Sequence, residues 1–459
     1  MTIDVKKRVV FLLLGAATFS LLTANAAAAQ MILSPKLDLD SAVSRALEND
    51  PQVRASQIQA EIAAERIKEA RTGRQPVVEI HQSFTRSNNP VFVFSSLLEQ
   101  GRFAASNFSL NSLNDPHGLN NFRTSISVSV PILDQRQTRS RITRTEIERT
   151  RSELQIEAVS QKLRFDVNRN YFGAVLADEM LKATDAAVRS AKENSHKTKD
   201  FVNVGLVAES DSLVANVELA NVEQQRLEAQ SAVLKTRAAL NIAVGERPAM
   251  TYELVGNLQE RYFPVEEGSE LVRIALIRRP DYKQAVLATK DTHEDTLSIR
   301  DQKMPRLDAF GKFGYSSPYI ANGSSDYTVG LSLSYTLFDP GRKSRIEQSV
   351  LSEGVAFAEM DKLRNQITID VITADQNHKT ARAKIQVSIK SVIQAEEALR
   401  ILQDRYKSAI STFDAVLRAE AALLHAKQDV LKARYEYYVS YAAVLLATGR
   451  LTDVREFEQ

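Results

Sequence analysis

Along residues 125–132 the chain alternates strictly: Ile126, Val128, Val130 and Ile132 interleave with Ser125, Ser127 and Ser129. Residues 328–337 repeat the pattern, setting Val329, Leu331, Leu333, Tyr335 and Leu337 between Gly330, Ser332, Ser334 and Thr336. A period of two sends alternate side chains to opposite faces, so both stretches predict strands. The polar face carries small groups instead of the larger or charged residues of a soluble sandwich. That suits a barrel with lipid outside and water inside. Weaker alternation adds partner strands, giving strands over 77–85, 123–133, 307–315 and 327–338. Four strands cannot close a barrel, and open edges are not tolerated in hydrocarbon. If these strands meet lipid, several chains must share one barrel.

Elsewhere the period is three and a half. Ile367, Val371, Ala374, His378, Ala381, Ile385, Ser388, Val392, Ala395, Leu399, Leu402 and Tyr406 step by four and three. The returning segment keeps the beat with Leu417, Ala421, Leu424, Gln428, Leu431, Tyr435, Tyr438, Ala442 and Leu445. So do Leu213, Val217, Ala220, Gln224, Leu227, Ser231 and Leu234. A sustained heptad predicts helices supercoiled against a neighbour, with these residues at the seam. Long helices are expected over 136–203, 209–245, 340–407 and 411–448. A helix of 68 residues spans on the order of 100 Å, deeper than any globular core, so the rods must lie side by side. Asp50 with Pro51, and Asp339 with Pro340, read as an N-cap followed by proline at the first helical position. Gly73 reads as the stop of the helix that Pro51 starts.

These elements are written twice. Asp166-Val167, Asp200, Gln224 and Gly245 recur 204 positions later as Asp370-Val371, Asp404, Gln428 and Gly449. Pro51 and Pro76 recur at an offset of 229 as Pro280 and Pro305, so the first copy carries about 25 extra residues. The expected organisation is a first repeat over 30–245, a connector over 246–268, a second repeat over 269–449 and a tail over 450–459. The insertion falls at 86–120, inside the first strand pair. Its Asn-Asn-Pro and Asn-Asp-Pro runs read as turns, and it is expected as an elongated outer loop with Val91 to Phe94 packed on itself.

Composition narrows the class. Lys6, Lys7 and Arg8 precede the apolar stretch Val9 to Leu22, and Ala26 to Ala29 offers a cleavage site, so 1–29 reads as a secretory signal peptide. There is no cysteine, hence neither a disulfide nor a thiolate metal site. With 59 basic and 57 acidic residues the charge is balanced, which argues against a nucleic-acid partner. No catalytic, cofactor-binding or metal-ligating constellation is present. The six histidines are scattered, and His378 at a seam position reads as packed.

The Val204-Gly205-Leu206 turn followed by Asp211, the matching turn in the second copy, Ala426-Lys427-Gln428 with Ala433-Arg434-Tyr435, the stretch 337–342 and the duplication together resemble the TolC-type outer-membrane efflux proteins. The resemblance covers nearly all of the chain after residue 29. It implies a mainly α protein with a small transmembrane β part. Three copies would form a 12-stranded barrel continued by a periplasmic α-helical barrel. It implies an exit duct of a tripartite efflux or type I secretion system, docked by its tips onto a periplasmic membrane-fusion adaptor. The adaptor couples it to an inner-membrane pump of the RND, ABC or related type. Residue by residue, Val204, Gly205 and Leu206 match the family's docking turn, and Ser408, Ala409 and Ile410 stand there in the second copy. Asp211 and Tyr406 fall where the family makes an inter-rod gate hydrogen bond. The family's gate arginine corresponds to Ser411, and its two gate acids to Ala415 and Arg418, with Asp414 adjacent. A periplasmic adaptor and a secreted coiled-coil protein remain alternatives on the sequence alone. Two hairpins with four alternating strands disfavour the first, and the second has no need of such strands.

Overall fold

A computed structural model describes residues 35–259, 261–320, 322–408 and 410–457. The leader at 1–29 lies outside the described residues. The first half of the chain forms β1 (Lys36–Leu37), α1 (Leu39–Asn49), α2 (Pro51–Arg71), β2 (Val77–Ser87), α3 (Pro90–Glu99), α4 (Leu110–Asn114), β3 (Leu119–Asp134), α5 (Gln137–Asn203) and α6 (Glu209–Ala243). The second half forms β4 (Glu253–Leu254), α7 (Gly268–Arg278), α8 (Pro280–Asp301), β5 (Arg306–Ser317), β6 (Ser324–Ser334), α9 (Arg342–Lys407) and α10 (Phe413–Ala447). Short helices, a strand pair and two long helices therefore occur in the same order twice. Gly245 and Gly449, equivalent in the two copies, close α6 and α10 in the same way. Each has positive φ, and the residue after it donates to a carbonyl five positions back.

The strands and the long helices stand side by side as a wall, with α1 packed on α5 and α7 on α9. Strands pair antiparallel in the order β2-β3-β5-β6. Below them α2 packs on α5, α5 on α8 and α8 on α9, and lower still the order is α6-α5-α10-α9. One margin of the wall is thus β2, α2 and α6, and the other is β6 and α9. Among the described residues neither edge strand of this sheet, β2 or β6, pairs with a further strand.

Several starts and stops differ from the sequence reading. Asp50 caps α2 as expected, its carboxylate accepting from the Gln52 and Val53 amides at 2.7 and 3.0 Å. Asp339 does not cap α9, which begins at Arg342 with Pro340 outside it. Its carboxylate instead accepts from the Gly341 amide at 3.0 Å and pairs with Arg345, so it serves a turn before the helix. Strand β6 ends at Ser334, leaving Tyr335 and Leu337 outside the ladder. Ser334 pairs with Arg306, and the partner strand reaches no further because Pro305 has no amide to donate. In β3 the alternation breaks at Ile132, where a bulge between Pro131 and Leu133 skips one residue.

The seam on α9 is real at its upper end: Ile367, Val371, Ala374, His378, Ala381 and Ile385 are all buried. His378 stacks on Tyr437 with ring centroids 4.7 Å apart, and its nitrogens lie 3.1 Å from Ser440 Oγ and 3.4 Å from the Phe263 carbonyl. Burial pushes its pKa below the ordinary histidine value. The stripe expected on α6 is different. Leu213, Val217, Leu227 and Leu234 are exposed, at 61%, 62%, 64% and 72%, while α6 buries Ala215, Val222, Val233 and Leu240. Helix α6 has two apolar faces, and a heptad count alone does not say which one meets α5.

The main core lies at mid-height, where the connector and the tail close on the rods. Phe263 of the connector stacks on Tyr441 at 4.5 Å, and Phe457 of the tail packs 5.7 Å from Phe263. Tyrosine hydroxyls fasten the connector. Tyr437 accepts from the Phe263 amide at 3.0 Å, and Tyr438 donates to the Gln259 carbonyl at 3.1 Å. The stretch 450–457 is thus part of the core, with Leu451, Val454 and Phe457 buried.

Candidate functional site: the duct wall and the rod tips

Register sorts the sheet into two chemically distinct faces. Val78, Ile80 and Phe84 of β2 share a face with Phe122, Ile126, Val128 and Val130 of β3. Leu307, Ala309, Gly311 and Phe313 of β5, with Tyr327, Val329, Leu331 and Leu333 of β6, continue it. Among the described residues the one charge on that face is Arg86, at the end of β2 next to the insertion. The opposite face carries Glu79, His81, Arg123, Asp134, Arg306, Asp308, Lys312 and Asp326 among small polar residues and glycines, with Val77 and Phe310 toward the rods. Exposure supports the assignment, since Ile80, Val329 and Leu331 are 70%, 79% and 68% accessible with no protein cover. An apolar face this bare needs lipid, and the charged face needs water. Among the described residues no helix is long and apolar enough to cross a membrane.

At the far end of the rods, the α5–α6 turn closes around Gly205, with φ at +76°. The Gly205 amide donates to the Val202 carbonyl at 2.9 Å and the Leu206 amide to Phe201 at 2.8 Å, a helix-ending pattern that favours glycine. Val204 and Leu206 project into solvent, and a Cβ on Gly205 would meet nothing within 4 Å. In the second copy the Ile410 amide makes the equivalent bond to Arg405 at 2.8 Å, and Ile410 is exposed. Ala409 lies outside the described residues. The tips therefore present bare aliphatic side chains on tight turns.

Just above the tips, Tyr406 packs against Phe413 with centroids 5.4 Å apart, beside Ala215 and Leu417. Among the described residues its hydroxyl is buried without a hydrogen-bond partner, so the bond to Asp211 expected from the resemblance is not made in this single chain. Burial, and then the neighbouring Asp211 carboxylate, push the hydroxyl above the usual tyrosine range. Asp211 is near enough to be felt. Asp414 is tied to Arg418 at 2.9 Å, an exposed pair one helical turn apart worth a few tenths of a kcal/mol.

Sequence reasoning missed Glu420. Its carboxylate faces α5 and accepts from Asn194 Nδ2 at 2.8 and 3.0 Å and from Ser190 Oγ at 3.4 Å. Burial raises its pKa above the ordinary glutamate value, and Glu218 on α6 pushes the same way. It borders a cavity of about 270 Å³ between α5, α6, α9 and α10, floored by alanines such as Ala183, Ala187 and Ala421. The only signal in the sequence is a glutamate flanking the Leu417–Ala421 seam.

The family model described as outer membrane efflux protein matches residues 42–246 and again 271–450. The outer membrane protein TolC of Escherichia coli strain K12 is 23% identical over 442 residues, covering 92% of this chain and 84% of that protein. The cobalt-zinc-cadmium resistance protein CzcC of Cupriavidus metallidurans is 23% identical over 331 residues, covering 72% and 78%. Among solved structures, the outer membrane channel CmeC of Campylobacter jejuni superposes with a TM-score of 0.75 at 21% identity, covering 91% of this chain and 87% of that one. A mainly helical wall topped by a two-faced sheet, matched twice by one family model, places this chain in the outer membrane as a member of the outer membrane efflux protein family.

Proposed function

We propose that three copies of this chain close into one duct that carries substrates passively out through the outer membrane. An inner-membrane pump, reached through a periplasmic adaptor, supplies them. The observation that carries this reading is the sorted sheet with two open edges. Four strands with one bare apolar face and one charged face are a third of a 12-stranded barrel, and hydrocarbon forbids leaving β2 and β6 unpaired. The margins below agree. The exposed α6 stripe on one side answers Ile369, Ile372, Val387, Ile393 and Ile401, exposed on α9 at the other. On this reading 30–245 and 269–449 are the two repeats, joined by 246–268. The turns at 204–206 and 408–410 are the adaptor contacts.

The tip around Tyr406 is the periplasmic gate. A buried hydroxyl without a partner is costly, and Asp211 is the carboxylate whose charge reaches it. In the closed trimer the two bond. At about 1.5 kcal/mol each, three such bonds bias the gate by roughly a thousandfold. Asp211→Ala combined with Tyr406→Phe should therefore raise single-channel conductance in planar bilayers and admit vancomycin into cells. Wild-type conductance and resistance in a normally expressed double variant would move the latch elsewhere, with Asp414 and Arg418 next in line.

A further inference from the structure

The insertion of the first copy is not an elongated loop. Asn89 caps α3 by accepting from the Phe92 amide at 3.2 Å, with Pro90 at the first helical position. Phe94, Phe103 and Phe108 then form an edge-to-face chain with centroids 4.9 and 5.0 Å apart. The folded unit leans on one face of the sheet, and its bonds identify which. Arg123 Nη1 donates to Glu99 at 3.0 Å and to Ser316 Oγ at 2.8 Å, and Arg123 Nη2 donates to Asp326 at 3.0 Å. Gln100 Nε2 donates to Asn121 Oδ1 at 3.0 Å and to the Asn120 carbonyl at 2.8 Å. Gly101 rests against Ser324. By register Asn121, Arg123, Ser316, Ser324 and Asp326 all lie on the charged, water-facing side.

Helix α3 thus lies inside the rim of the barrel, at the end away from the rods. Val93, Ser96 and Gln100 are buried, while Val91, Ser95 and Leu98, spaced for one helix face, are exposed on the other side of the helix. Val91 is 76% exposed and Leu98 52%. We infer that the outer mouth of the duct is closed by a lid of three α3 helices, one per chain, packed on each other through Val91 and Leu98 and latched to the wall by Arg123 and Glu99. This rests on the three-chain reading above. The dimensions agree: twelve strands about 4.8 Å apart and tilted by about 40° make a cylinder roughly 24 Å across from backbone to backbone. Three helices with axes about 9 Å apart then lie about 7 Å from the wall backbone, which small wall side chains allow. Beside the latch residues Arg123 and Asp326 the wall at that level carries the small Asn121, Ser316, Ser324 and Gly314, which leaves the room. The apolar stripe is covered by the other two copies, which a three-fold axis brings against it.

The chain has no cysteine, which makes the test clean. Full-length protein carrying Leu98→Cys is extracted from outer membranes and its trimeric mass is verified. A short bismaleimide should join its subunits in pairs. In a second strain, Ser127→Cys places a thiol on the water-facing wall below the lid. A bulky, impermeant maleimide added to intact cells should reach it slowly. Combining it with Glu99→Gln or Arg123→Gln should make labelling about tenfold faster, since weakening one charge-assisted hydrogen bond in a two-state latch shifts its open fraction by roughly that factor. If Leu98→Cys takes a single maleimide but never links subunits in a true trimer, and labelling at position 127 is equally fast with and without the latch, the lid does not exist. A missing trimer would sink both the lid and the assembly, whereas a trimer without the cross-link sinks the lid alone.

Discussion

Lysines at Leu227 and Leu234 together are expected to leave no trimer, while the single chain keeps its helices. Both side chains stand on the exposed face of α6, in a stripe that runs about 31 Å from Leu213 to Leu234. Taking about 1.5 kcal/mol for covering each, the four aliphatic residues contribute about 6 kcal/mol to one seam between chains. The double change removes about half of this and sets two ammonium groups in a seam opposite isoleucines. Three seams per assembly multiply the cost to about 10 kcal/mol or more, more than a complex of this kind can absorb. Because α6 holds α5 through Ala215, Val222, Val233 and Leu240 instead, helix content should be unchanged. Size on a detergent gel-filtration column and circular dichroism read the two effects separately. A double variant that still runs as a trimer would mean that the stripe faces water in the assembly.

Gly205→Trp is expected to abolish export while leaving the assembly intact, and Gly205→Ala to leave both nearly normal. The left-handed backbone at +76° costs any other residue about 1–2 kcal/mol, which the long rods tolerate. No neighbour stands within 4 Å of the added Cβ, so the indole projects outward between Val204 and Leu206. There it obstructs whatever docks on the turn. Resistance to exported toxic compounds should fall to that of a strain lacking the gene, with wild-type amounts of trimer in the outer membrane. Alanine carries the same backbone strain without the bulk, so it separates docking from folding. Equal loss of export in both variants would make Gly205 a folding residue only.

Periodicity makes the strands and rods legible, because the two regular spacings, two and three and a half, leave little ambiguity over long stretches. Capping chemistry is less decisive. Asn89-Pro90 reads as a turn yet starts α3, whereas Asp339-Pro340 reads as a helix start yet forms a turn. The same side-chain oxygen serves either geometry, and the neighbours decide. Arg345 and Arg342 claim Asp339, while among the described residues only the Phe92 amide donates to the Asn89 side chain. The α6 stripe is visible at the right positions but not with the right neighbour, since a repeat reports a buried face without saying what buries it. Asp211 and Tyr406 do lie near one another, but their bond is absent from the single chain. Glu420 leaves no pattern to read, because one half-buried carboxylate held by an asparagine from another helix has no spacing of its own.

If the duct exists only as a closed ring of three chains, native mass spectrometry of the protein extracted from outer membranes in mild detergent should show it. One dominant species of three chains is expected, lost to aggregation when the detergent is withdrawn, because the face bearing Ile80, Val329 and Leu331 then has no lipid substitute. A stable, monodisperse single chain in detergent-free buffer would contradict the closed ring.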